Sequence, residues 1–285
     1  MDQKITETVE EYKSGKIDRR EFLGKLTMLT GSTAAAVALL PLIDKKGVRA
    51  SIHSQEDIHT EFIKYPGGTG EVIAYLAKPE VDKKLPGVIV IHENRGLVPH
   101  IRDVTRRMAQ EGFVSIAPDA LSPMGGTPEN EDEGRTKMQE LNYESTVKDF
   151  VAAVQYLKTN PLTTGKVGCT GFCWGGAMTN QVAVNSPDLT AAVPYYGRQP
   201  EPEDVPKIKA SVMAHYAGED ERINSGIPAF EEALKKAGID YQIFIYEGAA
   251  HAFNNDSNPQ RYHKEAAELA WKRTIAFFKE KLGVG

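Results

Sequence analysis

A cysteine set between glycines carries the strongest chemical signal in this chain. Gly171-Phe172-Cys173-Trp174-Gly175-Gly176 follows the β-rich run Lys166–Thr170 and precedes a helical run from Ala177 to Asn185. A nucleophile on the turn between a strand and a helix, with glycines two residues to either side, is the nucleophile-elbow pattern, here with cysteine in serine's usual place. The glycines have a steric reason. A nucleophile on so tight a turn takes strained backbone angles, and side chains beside it would collide with the neighbouring strand and helix. The turn lifts the sulfur above the sheet edge, where a thiolate can attack a carbonyl. The competing reading is an inert cysteine packed as a small apolar group. That reading suits Cys169, which lies inside the strand. A Cys169–Cys173 disulfide is disfavoured by reach. Four residues of extended chain span about 13 Å, whereas bridged α-carbons usually lie within about 7 Å.

A thiol nucleophile needs a base, and the base an orienting acid, in the chain order nucleophile, acid, base. Gly218-Glu219-Asp220-Glu221-Arg222 follows the strand-like run Ala210–Ala217, and Gly248-Ala249-Ala250-His251-Ala252-Phe253 follows Tyr241–Tyr246. Both segments fall at carboxyl ends of strands, the edge where α/β folds bind ligands. His251 can take the thiol proton and return it to a leaving group, while Asp220 holds its tautomer and stabilises the imidazolium. Glu219 is the rival acid, and spacing leaves both open. The other histidines are worse placed: His53 and His59 open the domain, His100 and His263 lie in helical surroundings, His215 lies within a strand, and His92 comes early. The oxyanion donors expected are the N–H of Trp174 and that of Asn94, from the loop His92-Glu93-Asn94-Arg95-Gly96. Glu93 is unusual there, because an acid near a thiol raises its pKa unless the two share a proton. As a loop acid it could equally be solvated.

The elements that must position these groups alternate in type. Ile58–Tyr65 and Glu71–Lys78 read as antiparallel strands around the turn Pro66-Gly67-Gly68. Pro86–His92 is a continuous apolar run, as expected of a strand buried on both faces. Helical patterns over Ile101–Glu111, Ser145–Lys158, Pro228–Ala237 and about Arg261–Lys281 alternate with strands at Phe113–Ala117, Thr190–Tyr196 and the runs already named. The implied fold is α/β, an α/β-hydrolase fold with a mostly parallel twisted sheet and helices on both faces. The segment from Ser122 to Gly134, rich in Pro, Gly, Asn and acids, reads as a loop and lid.

Composition narrows the classes. The 285 residues are 41% hydrophobic, enough for a buried core, and the formal net charge of −5 argues against a nucleic-acid-binding surface. Two cysteines build no disulfide framework, and no histidine spacing matches a zinc site, so no metal is expected. The first fifty residues read differently. Arg19-Arg20 precedes the uncharged run Leu26–Ile43, then Lys45, Lys46 and Val48-Arg49-Ala50-Ser51, the order of a twin-arginine export signal. Residues 1–50 are therefore expected to be a leader recognised by the twin-arginine machinery, and 51–285 the hydrolase domain. A periplasmic or otherwise exported location follows, with membrane contact only through an uncleaved leader. An ordinary amphipathic helix is the alternative.

Four motifs in register, His92-Glu93-Asn94-Arg95-Gly96, Gly171-Phe172-Cys173-Trp174-Gly175-Gly176, Gly218-Glu219-Asp220 and Gly248-Ala249-Ala250-His251-Ala252-Phe253, resemble the dienelactone hydrolases (carboxymethylenebutenolidases) from about Asp57 to Leu282. The leader and the Glu-Asn-Arg-Gly loop are similar to the family's exported members. The resemblance implies a triad of Cys173, His251 and Asp220, preferring Asp220 to Glu219. It implies further that Glu93 hydrogen-bonds the resting thiol and takes its proton when substrate binds. The implied reaction is hydrolysis of a small lactone or activated ester through an acyl-thioester, with no cofactor. The family grips a substrate carboxylate with two arginines, one of them four residues beyond the catalytic histidine. That position is Asn255 here; Arg135 could match the other, and Arg95, Arg198 and Arg222 are possible replacements. Rival functions on this sequence are a thioesterase or peptidase on the same fold, or a non-catalytic periplasmic protein retaining the elbow.

Overall fold

Alternate residues of one apolar strand feed two different cores. In the computed structural model the strand β3 (Leu85–Ile91) is buried throughout. Its Ile89 and Ile91 join the core built with Phe150, Val154 and Met178, while Val88 and Val90 join the one built with Ile101, Val104 and Phe278. A side-chain period of two in a strand covered on both faces requires this division. The structure describes residues 58–284 together with Thr8, Gly24, Lys25, Thr27 and Met28. By contacts the chain divides into Met1–Ile52 and His53–Gly285. In the first unit the described residues are helical; Arg19, Arg20, most of the uncharged run and the Ala50–Ser51 junction lie outside them.

In the second unit, β1 (Ile58–Pro66) and β2 (Glu71–Pro79) form the antiparallel pair. The remaining strands are β4 (Val114–Pro118), β5 (Thr163–Phe172), β6 (Ala191–Tyr195), β7 (Ser211–Glu219) and β8 (Tyr241–Ala250). They form one sheet in the order β1-β2-β4-β3-β5-β6-β7-β8, parallel from β4 onward along that order. Helices α1 (Pro99–Gln110) and α7 (Lys264–Leu282) cover one face. Helices α3 (Tyr143–Thr159), α4 (Trp174–Asn185) and α6 (Ile227–Lys236) cover the other. The single turn α5 (Glu221–Asn224) follows β7.

Two readings of the sequence need correction. The segment read as loop through Gly134 contains the start of a helix, α2 (Glu131–Glu140). Asn130 caps it, its side chain accepting from the backbone N–H of Asp132 at 2.9 Å and Glu133 at 3.0 Å, and the acids of the first turn complement the helix dipole. Second, α4 begins at Trp174, not Ala177, so no loop separates the cysteine from its helix. Because β3, β5, β6, β7 and β8 run parallel, their carboxyl ends share one rim. The next residues in sequence put Glu93, Cys173, Tyr196, Asp220 and His251 along it.

Candidate active site

Cys173 occupies the turn between β5 and α4 with φ 57° and ψ −112°, outside the conformations ordinary side chains prefer. Close approach of backbones enforces the turn. A Cβ on Gly171 would lie 2.2 Å from the carbonyl oxygen of Gly175, and one on Gly175 would lie 2.4 Å from those of Ile91 and His92. The Cys173 N–H donates to the Tyr195 carbonyl at 3.1 Å, tying the elbow to β6. Burial, and after it the charge of Glu93, push the thiol up to about 11; the Trp174 N–H and the charge of Arg222 oppose this. The resting sulfur is therefore a protonated thiol at neutral pH, unreactive until a base removes its proton.

His251 and Asp220 meet across two strand ends. Glu219 pairs in register with Ala250, which sets the next residues, Asp220 and His251, opposite one another. The His251 Nδ1–H donates to Asp220 Oδ2. With Nδ1 committed as donor, Nε2 is left as the acceptor. Asp220 is 8% exposed and His251 19% exposed at the side chain, so the pair is sheltered yet open on one side. Glu219, the rival acid, is exposed.

Glu93 and its neighbours are fixed by a buried histidine. The His92 Nδ1–H donates to the Glu93 carbonyl at 2.7 Å, and Nε2 accepts from the Ala120 N–H at 3.1 Å. The same ring stacks on Trp174, centroids 5.5 Å apart and planes 11° apart. Burial lowers the His92 pKa, keeping the ring in the neutral form that can donate and accept at once. The Glu93 carboxylate accepts from Asn255 Nδ2 at 2.8 Å. The resemblance had implied a hydrogen bond from Glu93 to the resting thiol; in the structure the carboxylate's hydrogen bond runs to Asn255 instead. Burial raises the Glu93 pKa, and the Asn255 hydrogen bond with the charges of Arg95 and Arg261 moderates the rise.

The remaining expected residues divide. Asn94 lies exposed in the turn directly after Glu93, and Trp174 opens α4. Arg95 pairs with Glu131 of α2, and Arg198 pairs with Glu201 while three-quarters exposed. Arg135 is exposed on α2. Arg222 is the one of these four whose charge reaches the thiol. Two neighbours escaped the sequence reading, Tyr196 and Arg261, and Asn255 was read there only as the place of an absent arginine. Tyr196 is 1% exposed, and its ring packs edge-on against His251 at 5.1 Å. Its hydroxyl is held well above the usual tyrosine range by burial, then by the charges of Glu93 and Cys173. Among the described residues, the non-glycine positions with positive φ are Cys173, Tyr196 and Ala252, all at this rim. Strain of that kind persists only where surrounding structure over-determines it. The Tyr195-Tyr196-Gly197 sequence at the end of a strand was the available signal for Tyr196.

The arrangement brings a protonated cysteine thiol, a carboxylate and an oriented imidazole to one sheet edge. Residues 72–282 match the dienelactone hydrolase family. A protein of Saccharolobus solfataricus named "Putative carboxymethylenebutenolidase" is 34% identical over 255 residues, covering 76% of this chain and 97% of that one. A crystal structure from Klebsiella pneumoniae, named "Putative Dienelactone Hydrolase", superposes with TM-score 0.70 at 30% identity, covering 78% of this chain and 98% of the other. The acylaminoacyl peptidase of Pyrococcus horikoshii shares the fold at TM-score 0.62 and 18% identity, covering 79% of this chain and 42% of the peptidase.

Proposed function

Because the chain belongs to the dienelactone hydrolase family, a family of carboxylic ester hydrolases, we propose that it hydrolyses a lactone or activated ester with Cys173 as nucleophile and the His251–Asp220 pair beside it. The observation that carries this reading is the register of β7 and β8, which delivers a hydrogen-bonded acid and imidazole to the rim holding the cysteine.

In the reaction proposed, substrate entry brings the Glu93 carboxylate to the thiol, which hands it a proton. The thiolate attacks the carbonyl carbon, and the tetrahedral oxyanion is received by the N–H groups of Trp174 and Asn94. Collapse breaks the carbon–oxygen bond, and the leaving alkoxide takes the proton from Glu93. Water then attacks the acyl-thioester with His251 as general base, and the imidazolium returns that proton to the departing thiolate. Asp220 fixes the ring's orientation and offsets its transient charge. A thiol protonated at rest would protect an exported cysteine from oxidants.

Asn255 occupies the position where the resemblance expects a carboxylate-binding arginine, and its amide N–H is already engaged by Glu93. A lactone or ester without a strongly held carboxylate therefore fits better than the carboxylated dienelactone. We also propose that residues 1–50 direct export by the twin-arginine route, on the order Arg19-Arg20, uncharged run, basic flank. The test of the reaction is turnover of an aryl ester by the purified protein and its Cys173→Ala variant. Loss of turnover in the variant is expected; retained turnover refutes the nucleophile.

A further inference from the structure

The second carboxylate of the site is held by a residue from the base's own loop. Asn255 lies four residues after His251, in a turn closed by its N–H donating to the Ala252 carbonyl at 3.1 Å and by the Asn258 N–H donating to the Asn255 carbonyl at 3.1 Å. Its side-chain orientation is not arbitrary. Oδ1 accepts from the Ser257 N–H at 3.0 Å and from the Ser257 hydroxyl at 2.5 Å. A backbone N–H can only donate, so the amide oxygen must face Ser257 and the NH2 must face Glu93. Asn255 therefore presents a fixed donor to Glu93 Oε2 at 2.8 Å.

A donor with no acceptor lone pair favours the ionised over the protonated carboxyl, because hydrogen bonds to charged groups are the stronger kind. We propose that Asn255 is a positioning residue whose fixed amide donor holds the Glu93 carboxylate beside the elbow, in reach of the site where it receives the Cys173 proton once substrate enters, joining the carboxylate to the loop that carries His251. This rests on the hydrolase reading above. The other groups around Glu93 are Arg95 in its own loop, Arg261 beyond the Asn255 turn, Glu131 of α2, Cys173 of the elbow and Tyr196 after β6. The two arginines act in the same direction as Asn255, and Glu131 opposes it. Arg95 is partly neutralised by its ion pair with Glu131. Of these influences, the Asn255 hydrogen bond is the one with a defined direction in space.

Removal of the donor is expected to move the ionisation of Glu93 to higher pH. In Asn255→Leu, kcat/KM for an aryl ester should fall roughly tenfold at about pH 6, with the deficit closing as pH rises and Glu93 ionises in both proteins. Asn255→Arg, which restores a donor, should recover the wild-type acid limb. A merely structural role for Asn255 would lower activity by the same factor at every pH. An independent reading, free of turnover, is the carboxyl 13C titration of Glu93, assigned by loss of its signal in Glu93→Gln. The midpoint should rise in Asn255→Leu and fall back in Asn255→Arg. Asn255→Ser, whose hydroxyl is too short to reach Glu93, serves if the leucine variant does not fold. An unchanged midpoint in a folded variant overturns the proposal while leaving the nucleophile untouched. An active Cys173→Ala enzyme would instead remove the reading on which it rests.

Discussion

Glu93 and Cys173 belong to different strand ends, yet after burial the charge of Glu93 is the largest influence holding the Cys173 thiol up near 11. The relationship runs both ways through the mechanism. The carboxylate that keeps the sulfur protonated at rest is the group proposed to receive its proton when substrate excludes water from the rim. Their separate titrations make the first test.

Alkylation of resting Cys173 by iodoacetamide should be slow at neutral pH and accelerate continuously toward pH about 11, because the thiolate is the reacting form. Glu93→Gln removes the carboxylate charge and should shift that rise to lower pH. Stopped alkylation followed by peptide mass analysis measures both profiles. A thiol that reacts fully at neutral pH in the free protein contradicts the resting state described.

Turnover should follow the other partner. The acid limb of kcat/KM is expected above the ordinary carboxyl value of 4.5, since burial raises Glu93 and the protonated carboxyl cannot accept the thiol proton. Activity is thus lost as pH falls through the Glu93 midpoint. Glu93→Gln should erase this limb from whatever activity remains. An acid limb that survives the substitution would assign it to another group.

Asp220→Asn keeps the shape of the acid but loses its charge and can reverse the imidazole's tautomer. A fall in kcat of about 10²–10⁴-fold, with KM little changed, is expected from the loss of an oriented, charge-stabilised ring. Steady-state kinetics on an aryl ester decides this. Glu219→Gln, one residue earlier and exposed, should stay near wild type.

Gly175→Ala should damage the fold as well as the site. The added methyl would lie 2.4 Å from two backbone carbonyl oxygens, those of Ile91 and His92, which have no side chain to yield. A loss of about 1–3 kcal/mol or more is expected from such overpacking, read as a lower midpoint in urea. An unchanged midpoint would show that the β3 end moves freely from the elbow.

A buried histidine outside the site is expected to contribute to acid sensitivity. His215 Nδ1 accepts from the Tyr246 hydroxyl at 2.9 Å and its Nε2 lies 3.1 Å from Thr274 Oγ1. Burial, and then the Arg273 charge, lower its pKa from 6.5 to about 3. In the unfolded chain it would protonate near 6.5, so stability from the neutral ring is complete above that value and is lost progressively as pH falls toward about 3. His215→Gln should flatten this part of the stability–pH curve measured by chemical denaturation. A variant with the wild-type slope would place the acid sensitivity elsewhere.

The sequence revealed what local chemistry determines and missed what only packing brings together. The apolar run of β3, the glycines around Cys173 and the positions of Asp220 and His251 after strands are local signals, and each element stands in the expected chain order. Helix α2 was missed because Pro128 and the paired Gly125 and Gly126 suggested only loop, while its actual start depends on the single cap Asn130. Asn255 was noticed as a missing arginine, but its bond to a carboxylate 162 residues away has no local signature. Arg261 and Tyr196 are of the same kind. Their meaning comes from the parallel sheet, which gathers separate strand ends at one edge.

The most direct measurement is the mass of the Cys173 peptide after the protein has been mixed with an excess of aryl ester and quenched in acid during turnover. The added mass of the acyl group on Cys173, absent without ester and absent when iodoacetamide has already blocked that thiol, is the result expected. Turnover with an unmodified Cys173 throughout, or an acyl group found on another residue, would contradict the thioester route.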